Sequence, residues 1–206
     1  MRILKFIYRK FFIFFLNFLF NKKKENYLTF GSKYGSWSFL NLKNLYNSTI
    51  ISCGVGEDIS FDIEMMNKFN SRIIFVDPTP RAIDYYDQII DNIGKKKTKN
   101  YSNDGNQPIE TYDLSNIKIE KMQLIKKAIW SENLDNKIFY SPKNKNNVSY
   151  SFSDFSNNYK KETSHINVMT ITYSKLIHDL NIKSLPLIKL DIEGSETEVI
   201  QDLLNN

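Results

Sequence analysis

The 206-residue chain holds one cysteine, Cys53, and two histidines, His165 and His178. A single thiol excludes an intrachain disulfide and suits a reducing compartment. With so few His and Cys there is no ligand cluster that demands a metal. Acids are missing from residues 1–24, which carry seven basic side chains: Arg2, Lys5, Arg9, Lys10, Lys22, Lys23 and Lys24. Of the 28 Lys and Arg in the chain, 21 then remain to face 23 acids, so the rest of the chain carries −2 while the whole carries +5. That balance excludes a basic, nucleic-acid-binding body and assigns the positive charge to the tail. No internal repeat is visible. Apolar residues make up 41% and charged residues 25%, the usage of one ordinary globular domain with a real core.

The tail, residues 1–24, is both basic and apolar. Residues 3–20 contain 14 apolar side chains in 18 positions. As a helix they would reach about 27 Å, close to a hydrocarbon core of about 30 Å. Lys5, Arg9 and Lys10 interrupt that stretch, and only residues 11–20 run apolar, broken by Asn17. A signal peptide would need a small-residue cleavage site, but NKKKE follows instead. The arrangement fits an interfacial helix with Phe side chains in the acyl boundary and Lys/Arg on anionic headgroups. A snorkelling span or docking on the chain's own domain are the alternatives. The expected organisation is a membrane-associating tail over 1–24 and one domain over 25–206, cytoplasmic and held at the membrane peripherally or by anchoring.

Beyond the tail, residues 21–47 read as a polar entry segment. Thr49–Cys53, Arg72–Val76, a run within Lys121–Trp130 and Leu187–Leu190 read as strands. Helical spacing over 57–69 and 80–93, and shorter helices over 173–181 and from Ser195, alternate with them. Residues 95–120 read as a polar surface excursion, and 134–172 contain three β-type runs, KIFY, VSYSF and VMTITY. Alternation of this kind predicts an α/β fold, a parallel doubly wound sheet with helices on both faces and a β-rich insertion.

Three segments carry candidate chemistry. Gly54-Val55-Gly56-Glu57-Asp58 follows the first strand and precedes a helix, where glycines admit close backbone approach. The third glycine of the dinucleotide fingerprint is missing, its place taken by Ile59. Two acids at the mouth suit a helix N-terminus but repel pyrophosphate, which favours a cationic, phosphate-free ligand. Asp77 ends the second strand 23 residues after Gly54, where a ribose-binding acid sits in nucleotide folds; a turn cap in the sequence DPTP is the alternative. Asp191 and Glu193 stand two apart at the end of the fourth strand, so that on strand geometry both face one cleft. They could orient an acceptor hydroxyl or take its proton; a helix cap is the alternative. Cys53 reads as a buried filler.

Taken together, Tyr34-Gly35-Ser36-Trp37, SCGVGEDISFD (52–62), FVDPTPRAI (75–83), KKAIWS (126–131), FYSPKN with VSYSF (139–152) and LIKLDIEGSETEVI (187–200) resemble the FkbM-family methyltransferases, in the subgroup with GxGEDISFD and DPTP motifs. The resemblance spans residues 34–206. It implies a class I, Rossmann-like methyltransferase fold that uses S-adenosylmethionine, with a hydroxyl of a sugar or glycan as the usual acceptor. It places Gly54, Gly56, Glu57 and Asp58 in the cofactor loop and makes Asp77 the ribose acid. Trp130 becomes an adenine-flanking candidate, and Asp191 and Glu193 match the KxDxEG motif on the acceptor side. Thr170-Ile171-Thr172-Tyr173 departs from the family's usual Thr-Leu-Asp. Against a class I sheet, strands 5–7 are expected to be lacking, which leaves the fourth strand as an apolar edge and makes a truncated, non-catalytic remnant one alternative. A nucleotide-sugar oxidoreductase with an NAD-binding fold is the other, against which Ile59 and the Glu57–Asp58 pair argue.

Overall fold

The structure, a computed structural model, describes residues 26–144, 147–153 and 163–205. The expected membrane tail lies outside the described residues. Among those residues no helix is long and apolar enough to cross a membrane.

The core is a four-stranded parallel sheet. Its strands are β3 (Thr49–Cys53), β4 (Arg72–Val76), β5 (Met122–Ile125) and β10 (Ile188–Leu190), in the order β10-β3-β4-β5. Residues Ile50–Cys53 and Ile73–Val76 are buried throughout, as β-rich runs covered on both faces require. One face packs on α1 (Ser60–Phe69) and α2 (Pro80–Ile90) through Ile50, Ile73 and Phe75. The other packs on α3 (Tyr173–Asp179) and α4 (Glu196–Asn205) through Ile51, Cys53, Ile74 and Val76. Asn70 in the left-handed conformation ends α1, and Pro80 opens α2. The mixed α/β architecture is consistent with a Rossmann-like fold.

Several expectations need correction. The entry segment is not merely polar linker: Tyr27–Phe30 (β1) and Trp37–Leu40 (β2) form an antiparallel hairpin whose Phe30 and Phe39 rings pack near Phe69. The stretch 95–120 is not a surface excursion. It buries Gln107, Thr111, Tyr112, Leu114 and Ile117, and the Tyr112 hydroxyl accepts from the Ile59 amide. Its Lys and Asn residues conceal these anchors because they face solvent between them. The run within Lys121–Trp130 breaks at Lys126-Lys127 into β5 and a two-residue strand β6 (Ala128–Ile129), which pairs with β9 (Thr170–Ile171) rather than with the sheet.

Of the three β-type runs, KIFY forms β7 (Lys137–Tyr140), paired antiparallel with β8 (His165–Val168). The VSYSF run joins it through a bridge between Tyr140 and Ser151 and through the rings of Tyr150 and Phe152 against Phe139. None of these strands pairs with β10, whose one ladder partner among the described residues is β3.

Candidate functional site

The chain leaves β3 for α1 on one face of the sheet and leaves its neighbour β10 for α4 on the other, so the connections at their carboxyl ends part. Such a switch point opens a crevice. Here it holds a cavity of about 360 Å³, lined on one side by Gly54–Asp58 and Asp77 and on the other by Lys189, Asp191 and Glu193. Tyr34–Trp37, from the hairpin loop, border it as well, and Ala128, Ile129, Phe139, Tyr150 and Phe152 form an apolar wall. The volume is that of a small-molecule site.

The loop after β3 is held by Asp77. Its Oδ2 accepts from the amides of Val55 (2.9 Å) and Gly56 (3.3 Å), and its Oδ1 accepts from the Thr79 amide (2.9 Å) and hydroxyl (2.7 Å). Four bonds engage both oxygens of a carboxylate that is only 7% exposed. The ribose role implied by resemblance would require at least one of these donors to be displaced or shared. What Gly54 admits is the chain itself: a Cβ there would lie 1.9 Å from the Asp191 carbonyl oxygen, and its φ of +82° is left-handed. The loop after β3 and the loop after β10 therefore touch through backbone. The Asp191 amide adds to that seam by donating to the Cys53 carbonyl at 3.1 Å.

The two acids at the mouth are not free charges. Glu57 makes a two-point pair with Arg81 on α2, at 2.9 and 2.6 Å, and accepts from Asn106 at 2.9 Å. Asp58 accepts from the Ser32 hydroxyl (2.6 Å) and the Ser60 amide (2.9 Å), which pins the hairpin loop to the start of α1. Beside the expectation that these acids repel pyrophosphate stands a more direct one. Phosphate binding at a helix start needs open amides, yet the amides of Val55, Gly56, Ile59 and Ser60 are already taken by Asp77, Tyr112 and Asp58.

Asp191 and Glu193 line the cavity and are exposed, but not as successive same-face strand residues. The strand stops at Leu190, and Glu193 (φ +54°) and Gly194 (φ +94°) turn left-handed. The caps of the following turn are supplied by Glu196, which accepts from the amides of Ile192 (3.1 Å) and Gly194 (2.9 Å). Asp191 and Glu193 are thereby released from capping, and their carboxylates have no hydrogen-bond partner among the described residues.

Trp130 is the one proposed site residue that the structure does not bring to the cavity. Its amide donates to the Ile171 carbonyl, continuing the β6–β9 pairing, and its ring is fixed between Phe152 (4.8 Å) and Lys137 Nζ (4.3 Å). It lines an adjoining depression with Tyr140 and Glu198; Phe152 borders both spaces. Cys53 is fully buried against the Tyr173 hydroxyl, and burial pushes its thiol up to about 12.

Sequence reasoning missed Lys189 and Arg81. Lys189 is 5% exposed, donates to the Gly54 carbonyl at 3.0 Å and lies 5.7 Å from the Trp37 ring. A lysine at the middle of the apolar run LIKL was the available signal, since a buried strand carries a charge only where something uses it.

No curated protein and no solved structure matches the chain. The family model described as the methyltransferase FkbM domain matches residues 14–206, which takes in every lining residue of the cavity. The chain belongs to the FkbM methyltransferase family.

Proposed function

We propose that the chain transfers a methyl group from S-adenosylmethionine to a hydroxyl of a sugar or glycan, at a membrane surface reached through residues 1–24. The observation that carries this reading is the division of the cavity between a loop whose Val55, Gly56, Ile59 and Ser60 amides are already engaged and a lip with two unengaged carboxylates. A ligand of that loop is phosphate-free, which favours S-adenosylmethionine over a dinucleotide. When bound, it supplies an electrophilic methyl on a sulfonium.

The chain's own residues do the rest. Asp77 fixes the Gly54–Gly56 loop. The apolar wall of Ile129, Phe139 and Phe152 suits a flat heterocycle, and aromatic faces also attract a sulfonium. Asp191 and Glu193 accept the hydrogen bond of an acceptor hydroxyl, hold its oxygen in line with the methyl and take up its proton as the bond to carbon forms.

Asp191→Asn, with Glu193→Gln beside it, tests this in a tritiated-methyl assay with a panel of sugars. The expected loss for Asp191→Asn is about 10²–10⁴-fold in rate, with the melting temperature within about 2 °C because the side chain is exposed and unpartnered. Unchanged transfer in both variants would remove the lip from the chemistry. The tail is tested by sedimentation with anionic vesicles: the full chain should pellet at low salt, and a chain starting at Tyr27 should not.

A further inference from the structure

We infer that the Lys189 ammonium is the carboxylate-binding point of this cavity, the group that takes the amino-acid carboxylate of a ligand with a methionine or homocysteine arm. The inference rests on the reading of the cavity as an S-adenosylmethionine site.

Lys189 stands in β10 beside Ser52 of β3 in register, on the sheet face that α1 covers. Burying a lysine there is costly unless its donors are used. An ammonium has three donors; among the described residues this one makes a single hydrogen bond, to Gly54, and no carboxylate comes within 4.0 Å of it. From the packed helix Asp62 of α1 acts on it through space; that carboxyl is fully buried, with neither oxygen hydrogen-bonded. Burial raises the Asp62 carboxyl toward its neutral form, against the pull of the Lys189 charge. The ammonium is therefore left without a full counter-charge at contact distance, while it borders the cavity.

Lys189 is also the one cation among the described residues that line the cavity, set against Asp191 and Glu193 on the exposed lip. A ligand with a carboxylate, an ammonium and a sulfonium has one orientation that satisfies this pattern. Its carboxylate goes inward to Lys189, near Trp37, and its cationic groups go toward the lip acids. That orientation also brings the sulfonium to the side where the acceptor is held.

The test is calorimetry on the full chain with S-adenosylhomocysteine and its decarboxylated analogue, in the wild type and in Lys189→Met. The wild type should bind the carboxylate-bearing ligand about 10- to 100-fold tighter, the range of a charge-assisted hydrogen bond. Lys189→Met should reduce the preference to threefold or less and leave the affinity for the analogue unchanged. Equal weakening of both ligands would overturn the inference, because the lysine would then act only by holding the Gly54 carbonyl. If Lys189→Met does not fold, the wild-type ligand pair decides: a preference of tenfold or more supports the inference and a smaller one overturns it. Wild-type binding to neither ligand would instead overturn the cofactor reading along with it, a result distinct from binding without preference.

Discussion

The two lips of the cavity carry the same kind of side chain and use it differently. On the lip after β3, every acid is spent: Asp77 on four donors, Glu57 on Arg81 and Asn106, Asp58 on Ser32 and Ser60. On the lip after β10, Glu196 does the capping and leaves Asp191 and Glu193 unengaged. A carboxylate that satisfies buried backbone donors builds a shape, because removing it strands those donors. A carboxylate left exposed costs the fold little and remains available to a substrate. Position at a strand end does not tell these apart; the hydrogen-bond inventory does.

The comparison can be broken first at the seam between the lips. Gly54→Ala adds a Cβ 1.9 Å from the Asp191 carbonyl in a left-handed backbone, and a loss of about 3–5 kcal/mol is expected in urea unfolding. Gly94→Ala is its control, left-handed at φ +89° with nothing within 4 Å of the added atom, and should cost about 1 kcal/mol. Comparable costs for the two would mean the seam is not tight.

Next in size is Asp77→Ala, expected to lose about 2–4 kcal/mol of stability as buried donors lose their acceptor, together with ligand affinity. The contrast with Asp191→Asn is the point: one variant should lower both stability and turnover, the other turnover alone. Should Asp77→Ala melt like the wild type, the distinction between a spent and a free acid fails.

A double-mutant cycle of Glu57→Gln and Arg81→Met sharpens the same side. The Arg81 side chain is 37% exposed, so solvent screening limits the coupling to about 0.5–1 kcal/mol, weakening with salt. The smallest effect concerns Cys53. With its thiol raised to about 12 by burial, the folded chain at pH 8 should resist iodoacetamide, with labelling seen by mass spectrometry only in denaturant. Rapid native labelling would mean that the core around Tyr173 opens.

The central strands were legible because Thr49–Cys53 and Arg72–Val76 are compact β-rich runs bounded by turn residues, and burial on both faces leaves little else for them to be. The site's address, at the ends of those strands, followed from the same pattern. What the residues did there was less legible. Spacing proposes Asp77 as a ribose ligand; its partners within the chain, the amides of Val55, Gly56 and Thr79, are displayed by no one-dimensional pattern. Trp130 lies in the right segment but just after a short strand, β6, that is separated from the main sheet by the break at Lys126-Lys127. Tyr112 was hidden within a Lys- and Asn-rich stretch, although it is 1% exposed and supports the start of α1 through Ile59. Long-range pairing, not local propensity, decides each of these.

The contact that closes the seam is made by the main chain of residue 191, not by its carboxylate. Main-chain atoms are common to all residues, so the fit with Gly54 asks almost nothing of the side chain that follows. The side chain at 191 can then be exchanged without disturbing the loop after β3, whereas position 54 admits no such freedom. The shape of one lip is locked while the chemistry of the other stays adjustable, and the fold keeps the two separable at a single carbonyl.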